Sequence, residues 1–233
     1  MNKSTNDELN AQKIIYFQRR MTDWYKINGR NFAWRKRSAS KYHKIIVEVL
    51  LQRTKAENVS NLYPSFIHAY PNWKALSRAT ERELQQFLMP LGLWKRRAIS
   101  LLALSKEMAK RGGRFPRFRE EIEKIPSVGQ YIANAILLFC HGEPQPLLDA
   151  GMARVLERVF GPRKLADIRS DPYLQRLARL IVSAPNPQEM NWAILDLASL
   201  ICRPHNPKCI MCPINKICLY TTGFSSSVSG GIR

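Results

Sequence analysis

Residues 202–218 read CRPHNPKCIMCPINKIC and place Cys202, Cys209, Cys212 and Cys218 at the spacing C-x6-C-x2-C-x5-C. Four thiols within seventeen residues are either a disulfide framework or the ligand set of one soft metal centre. Disulfide frameworks belong to small exported chains. This chain has 233 residues, enough for one large core or two small ones. Its start, MNKSTNDELNAQKIIYF, has neither the apolar stretch nor the small-residue cleavage site of a secretory signal. A metal centre is therefore expected. A zinc ribbon would carry two C-x2-C knuckles, and only one is present, yet tetrahedral zinc and a cubane iron–sulfur cluster both take four thiolates. Donor chemistry alone leaves both open. The fifth cysteine, Cys140, lies in the apolar run AILLFC and reads as a packed thiol.

Outside this segment the sequence reads as helical almost throughout. Ile14, Phe17, Met21, Trp24 and Tyr25 recur at helical spacing, as do Ile46, Val49 and Leu50, and Leu101, Leu104 and Met108. No stretch alternates with period two, and prolines from Pro64 to Pro172 punctuate helices of ordinary length. An all-α architecture follows, with no fixed-period repeat. Residues 221–233 are small and polar and read as a flexible tail. No apolar run approaches the roughly 20 residues that span a bilayer, so an intracellular protein is expected, in the cytoplasm or nucleoid if the source is prokaryotic.

Lys and Arg number 37 against 18 Asp and Glu, a net charge of +19. The basic residues are scattered through WRKR (34–37), WKRR (94–97) and KRGGRFPRFR (110–119) rather than gathered on one amphipathic helix. That distribution favours nucleic acid over a membrane surface.

The stretch IPSVGQY (125–131) then gains meaning. Its P-x-V-G turn, Asp149 twenty residues on, and the cysteine spacing together resemble the helix-hairpin-helix (HhH-GPD) DNA glycosylases that carry a [4Fe-4S] cluster. This superfamily includes endonuclease III, the MutY-type adenine-DNA glycosylases and the thymine-DNA mismatch glycosylases. The likeness covers roughly residues 30–220. It implies two helical lobes: a six-helix barrel lobe over 35–149 with the hairpin near 120–140, and a cluster lobe formed by 1–34 and 150–220. It further implies a [4Fe-4S] cluster on the four cysteines, zinc being the alternative. The expected partner is double-stranded DNA with a mismatched base, bound by a monomer across a cleft.

Residue by residue, the resemblance implies a catalytic carboxylate at Asp149 in LLDAGMARVLERVFG, stabilising positive charge on the sugar or activating water. Taken alone, Asp149 reads as a helix N-cap. Glu48 in IIVEVLLQRT matches the glutamate of E-[VI]-[ML]-L-[QR]-[QR]-T in the mismatch-specific branch and would assist departure of the base. On a regular helix Glu48 and Gln52 share a face at i, i+4. Gln52 would fill the gap left by the flipped nucleotide, and Arg53 and Thr54 would touch backbone or the opposite base. Gly129 and Gln130 would open a helix toward a phosphate. Tyr131 stands where strand-cutting members place a lysine, and a phenol cannot form a Schiff base.

Three positions depart from the family pattern, one of them Ala33, where the family favours P-W and this chain has A-W. Ser127 replaces a glycine, which carries strain if the site needs a positive φ, and Gly151 replaces the asparagine of D-x-N. The expected function is a monofunctional or weakly lyase-active base-excision-repair glycosylase that flips and removes thymine or uracil opposite guanine. RFPRFREEI, LLDAG and the short stretch after the cysteines lean that way. The alternatives are an adenine-DNA glycosylase without its C-terminal recognition domain and a non-catalytic, metal-stabilised DNA-binding module.

Overall fold

The computed structural model describes residues 3–222; much of the expected tail, 223–233, lies outside the described residues, whereas Thr221 and Thr222 continue a helical turn whose hydroxyls donate to the Cys218 carbonyl. Among the described residues there are eleven α-helices, four short 3-10 turns and no strand. None of the helices is long and apolar enough to cross a membrane.

The helices are α1 (Lys3–Asn28), α2 (Lys41–Leu51), α3 (Ala56–Ala69), α4 (Trp73–Ser77), α5 (Glu81–Leu88), α6 (Trp94–Lys110), α7 (Arg119–Ile122), α8 (Gln130–His141), α9 (Ala150–Phe160), α10 (Pro172–Val182) and α11 (Pro187–Leu200). Their starts are written in the sequence. Ser40, Asn72, Thr80, Asp149, Asp171 and Asn186 each accept a backbone N–H in the first turn of α2, α4, α5, α9, α10 and α11. Such oxygens satisfy donors that a helix leaves orphaned, at about 1 kcal/mol each. Pro172 and Pro187 occupy the first helical position, where a missing N–H costs nothing. Pro64 differs from the reading of prolines as punctuation, because it lies inside α3. It is exposed there, so water can reach the carbonyl its missing N–H leaves unbonded.

The chain divides into two compact units, residues 31–143 and residues 1–30 with 144–233. In the continuous unit α2 packs on α3 and α8, while α4 and α5 pack on α6. Ile45, Ile46, Leu50, Phe66, Leu84, Leu101, Leu104 and Met108 have no solvent exposure. Each such side chain contributes about 1.5–3 kcal/mol relative to leaving it in water. In the discontinuous unit α1 packs on α11, and α11 on α9 and α10. Phe17 and Met21 of α1 enter one core with Met152, Leu156, Ile181, Ile194 and Leu197. Lys13 donates to the Val159 carbonyl at 2.6 Å and Arg30 to the buried Asp196 carboxylate at 2.7 Å.

Candidate active site and cysteine centre

Glu48 sits in the middle of α2, where Ile45, Ile46, Val47, Val49 and Leu50 are all buried. Glu48 itself is only 3% exposed. A carboxyl group enclosed in this way requires partners, and Tyr131, in the first turn of α8, donates its phenol O–H to Glu48 Oε2 at 2.8 Å. The two residues are 83 positions apart and meet because α2 packs on α8. Tyr131 is half-buried, and its polar tip faces the carboxyl group rather than ending in apolar packing.

α2 ends at Leu51 with Gln52 as its C-cap: the φ of −56° is still helical, and the chain leaves the helix at the Gln52 ψ of 113°. Arg53 follows in the left-handed region at φ 57°, which a residue with a Cβ adopts at a cost of roughly 1–2 kcal/mol. Gln52 and Arg53 are exposed on this turn. Thr54 closes it, donating its N–H to the Leu51 carbonyl at 3.0 Å.

Ser127 has φ 65°, so the condition for strain at that position is met. Val128 N–H closes the turn onto the Ile125 carbonyl at 3.1 Å, and Val128 and Ile125 are buried beneath it. Gly129 then caps α8 with no side-chain hydrogen bond. Its φ of −93° is open to any residue, and a Cβ built there would meet nothing within 4 Å. Neither conformation nor internal packing therefore demands glycine at 129. Gln130, half-buried, opens the helix.

Asp149 is the N-cap of α9, and its Oδ1 accepts the Met152 N–H at 2.7 Å. The residue is exposed. The protein mass around the carboxylate nevertheless pushes its pKa up by desolvation, outweighing the opposing pull of the Met152 and Gly151 N–H groups and of Arg154. Gly151 lies close to it: an added Cβ would stand 3.1 Å from Asp149 Oδ1 and 3.2 Å from Ala198 Cβ on α11.

The same helix reaches the cysteine segment. Arg154 donates to the Cys202 and Ala198 carbonyls at 2.8 and 3.0 Å. Arg158 donates to Cys202 Sγ at 3.5 Å and to the Arg203 carbonyl at 2.8 Å. Cys202, Cys209, Cys212 and Cys218 are free thiols lining one small cavity with Pro207, Ile214 and Tyr220. Burial pushes the Cys212 thiol up to about 12 and raises Cys209 as well, each reinforced by the neighbouring sulfurs. Four soft donors sharing a cavity without a disulfide suit a thiophilic centre. Among the described residues no three or more His, Cys, Asp or Glu side chains form a group that could hold a metal ion. Burial also pushes Cys140, outside this set, up to about 11, as a packed thiol requires.

Sequence reasoning passed over one residue, Arg97 in α6. It is 6% exposed, and its guanidinium donates to the Leu50 and Gln52 carbonyls and to Thr54 Oγ1 at 2.8, 2.6 and 2.5 Å. In the sequence it is one of three consecutive basic letters in WKRR (94–97), and nothing in the local pattern marks it as the inward-facing one.

Residues 46–177 match the HhH-GPD superfamily base excision DNA repair protein family. The thymine-DNA glycosylase of Aeropyrum pernix is 38% identical over 91% of this chain and 97% of its own length. The thymine/uracil-DNA glycosylase of Pyrobaculum aerophilum is 34% identical over 88% and 91%. Among solved structures, a thermostable thymine-DNA glycosylase superposes with a TM-score of 0.82 at 29% identity, covering 91% of this chain and 98% of that one.

Proposed function

The chain belongs to the HhH-GPD superfamily of base excision DNA repair proteins, and on that premise we propose that it is a DNA N-glycosylase removing thymine or uracil from opposite guanine. The observation that carries the choice of base is the likeness to the Aeropyrum and Pyrobaculum enzymes over nearly the whole chain.

The reaction adds water across the bond between sugar and base. As the base leaves, positive charge grows on the sugar, and a carboxylate beside it lowers that barrier. Asp149 serves as this carboxylate. The Met152 N–H on Oδ1 orients this carboxylate for charge stabilisation or for holding a water. Glu48 assists departure of the base, oriented by the Tyr131 hydroxyl. Because residue 131 is a phenol and not an amine, no Schiff base forms and the product is an abasic site rather than a cut strand.

DNA is held by the turn at Ser127 and the start of α8 through Gly129 and Gln130. The open space beyond Gly129 supports close approach of a phosphate to the helix start. Gln52 and Arg53, exposed past the end of α2, enter the gap left by the extruded nucleotide. Cys202, Cys209, Cys212 and Cys218 would hold a [4Fe-4S] cluster. Bound there, it would supply four metal–sulfur bonds that cross-link the 202–218 segment. Four free thiols about one cavity support a four-thiolate centre, zinc being the alternative.

The test is excision from duplexes carrying T·G, U·G, A·G or A·8-oxoguanine, followed by alkali. Alkali-labile sites are expected at T·G and U·G alone, with no borohydride-trapped adduct. Excision of adenine in preference to both pyrimidines would refute the choice of base. Binding without abasic sites in any duplex would refute the enzyme reading.

A further inference from the structure

The turn that carries Gln52 and Arg53 is held from beneath by a buried cation. We propose that Arg97 is the positioning residue for the 52–54 turn, setting the rigidity with which its exposed side chains enter DNA. The proposal rests on the glycosylase reading for the use of the turn, while the anchor itself stands on this unit's geometry.

Arg97 lies in the first turn of α6, just after Leu93, whose own backbone is left-handed at φ 51°. One guanidinium nitrogen bonds the Leu50 carbonyl at the end of α2; the other bonds the Gln52 carbonyl and the Thr54 hydroxyl. These acceptors bracket Arg53, the residue with positive φ. A planar fork with several fixed donors can hold three acceptors in one geometry, whereas an ammonium on a flexible stem cannot fix them together. Being almost wholly buried, Arg97 does not compete for DNA phosphate and acts through the turn. The Leu50 carbonyl it holds is among the last of the Glu48 helix, where a cation also complements the helix dipole. Gln52 and Arg53 thus sit on a platform whose backbone is fixed on one side and free on the other.

The test uses Arg97→Lys, which keeps charge and most of the volume, and Thr54→Ala, which removes a single acceptor and leaves the buried guanidinium in place. Two readouts need no excision: amide hydrogen exchange at 52–55 in the free protein, and fluorescence of 2-aminopurine placed beside a T·G mismatch. Faster exchange confined to the turn is expected in both variants, with a flipping signal reduced by about 10-fold in Arg97→Lys and less in Thr54→Ala. Affinity for a fully paired duplex should stay near wild type in Arg97→Lys, whose buried side chain does not reach DNA. Unchanged exchange at 52–55, or faster exchange with undiminished flipping, overturns the proposal. A wild-type protein that flips the base without excising it would instead overturn the glycosylase reading and leave this inference standing.

Discussion

Replacing Ser127 with glycine should stabilise the protein, although the substitution removes a side chain and gains no contact. Ser127 is held at φ 65°, where a residue with a Cβ is disfavoured by about 1–2 kcal/mol. Glycine escapes that penalty but has more freedom to lose from the unfolded chain, about 0.5–1 kcal/mol. The difference leaves a net gain of roughly 0.5–1 kcal/mol, since the exposed serine side chain contributes little packing. For a chain of this length that corresponds to a thermal midpoint about 1–4 °C higher. The midpoint is read by circular dichroism at 222 nm, with Ser127→Ala as control. Alanine keeps the Cβ and should give no gain, because the strain lies in the backbone and not in the hydroxyl. A Ser127→Gly protein that melts at or below the wild-type temperature would refute the argument, showing that the hydroxyl offsets the strain. DNA affinity should be unchanged or better in the glycine variant, since the turn keeps its shape.

Two further outcomes follow from Asp149 and its neighbour. Desolvation raises the Asp149 pKa above the ordinary 3.8, so the acid limb of the single-turnover rate should have its midpoint above that value. The fold favours the protonated form, and that contribution is present below the unfolded pKa and lost as pH rises through the folded one. Asp149→Asn, which can still cap α9, should therefore abolish excision while raising the urea midpoint at pH 7, with the gain shrinking toward pH 4. Full activity in this variant would end the catalytic assignment, and a lower urea midpoint at pH 7 would contradict the desolvation argument. Gly151→Ala places a Cβ 3.2 Å from Ala198 Cβ and 3.1 Å from the Asp149 carboxylate. Because α9 and α11 must separate to admit it, a loss of about 1–3 kcal/mol is expected, with a slower reaction and little change in duplex affinity. Equilibrium unfolding and single-turnover kinetics check both.

The helical architecture was legible because apolar residues recur at one period and six of the eleven helices start after a Ser, Thr, Asn or Asp cap. The Asp149 cap was legible for the same local reason. The meeting of Glu48 and Tyr131 was not, because their approach depends on how α2 packs against α8, and no neighbouring residue encodes that. The turn past Leu51 was not legible, because the left-handed residue at 53 has no sequence marker when it is an arginine. Arg97 escaped notice because its function is set by burial, and a basic letter in a basic stretch carries no sign of it. The strain at Ser127 was visible only as a condition, since whether a turn residue takes positive φ is decided by the turn type.

The partners of α1 have a consequence for the order in which the molecule is made. Lys13 bonds to Val159, Gln18 to Ile181 and Arg30 to Asp196, each more than 140 residues downstream. Residues 31–143, by contrast, are closed on themselves. During synthesis the middle of the chain can therefore complete its core while the first helix still has nothing to pack against. At about 5–20 residues per second, the stretch from 144 to Cys218 takes roughly 4–15 s to appear. The four cysteines follow all of these partners of α1 in the sequence. The first helix thus finds its place only after its distant partners have emerged, and any metal that the thiols bind is loaded into a unit whose core has just closed.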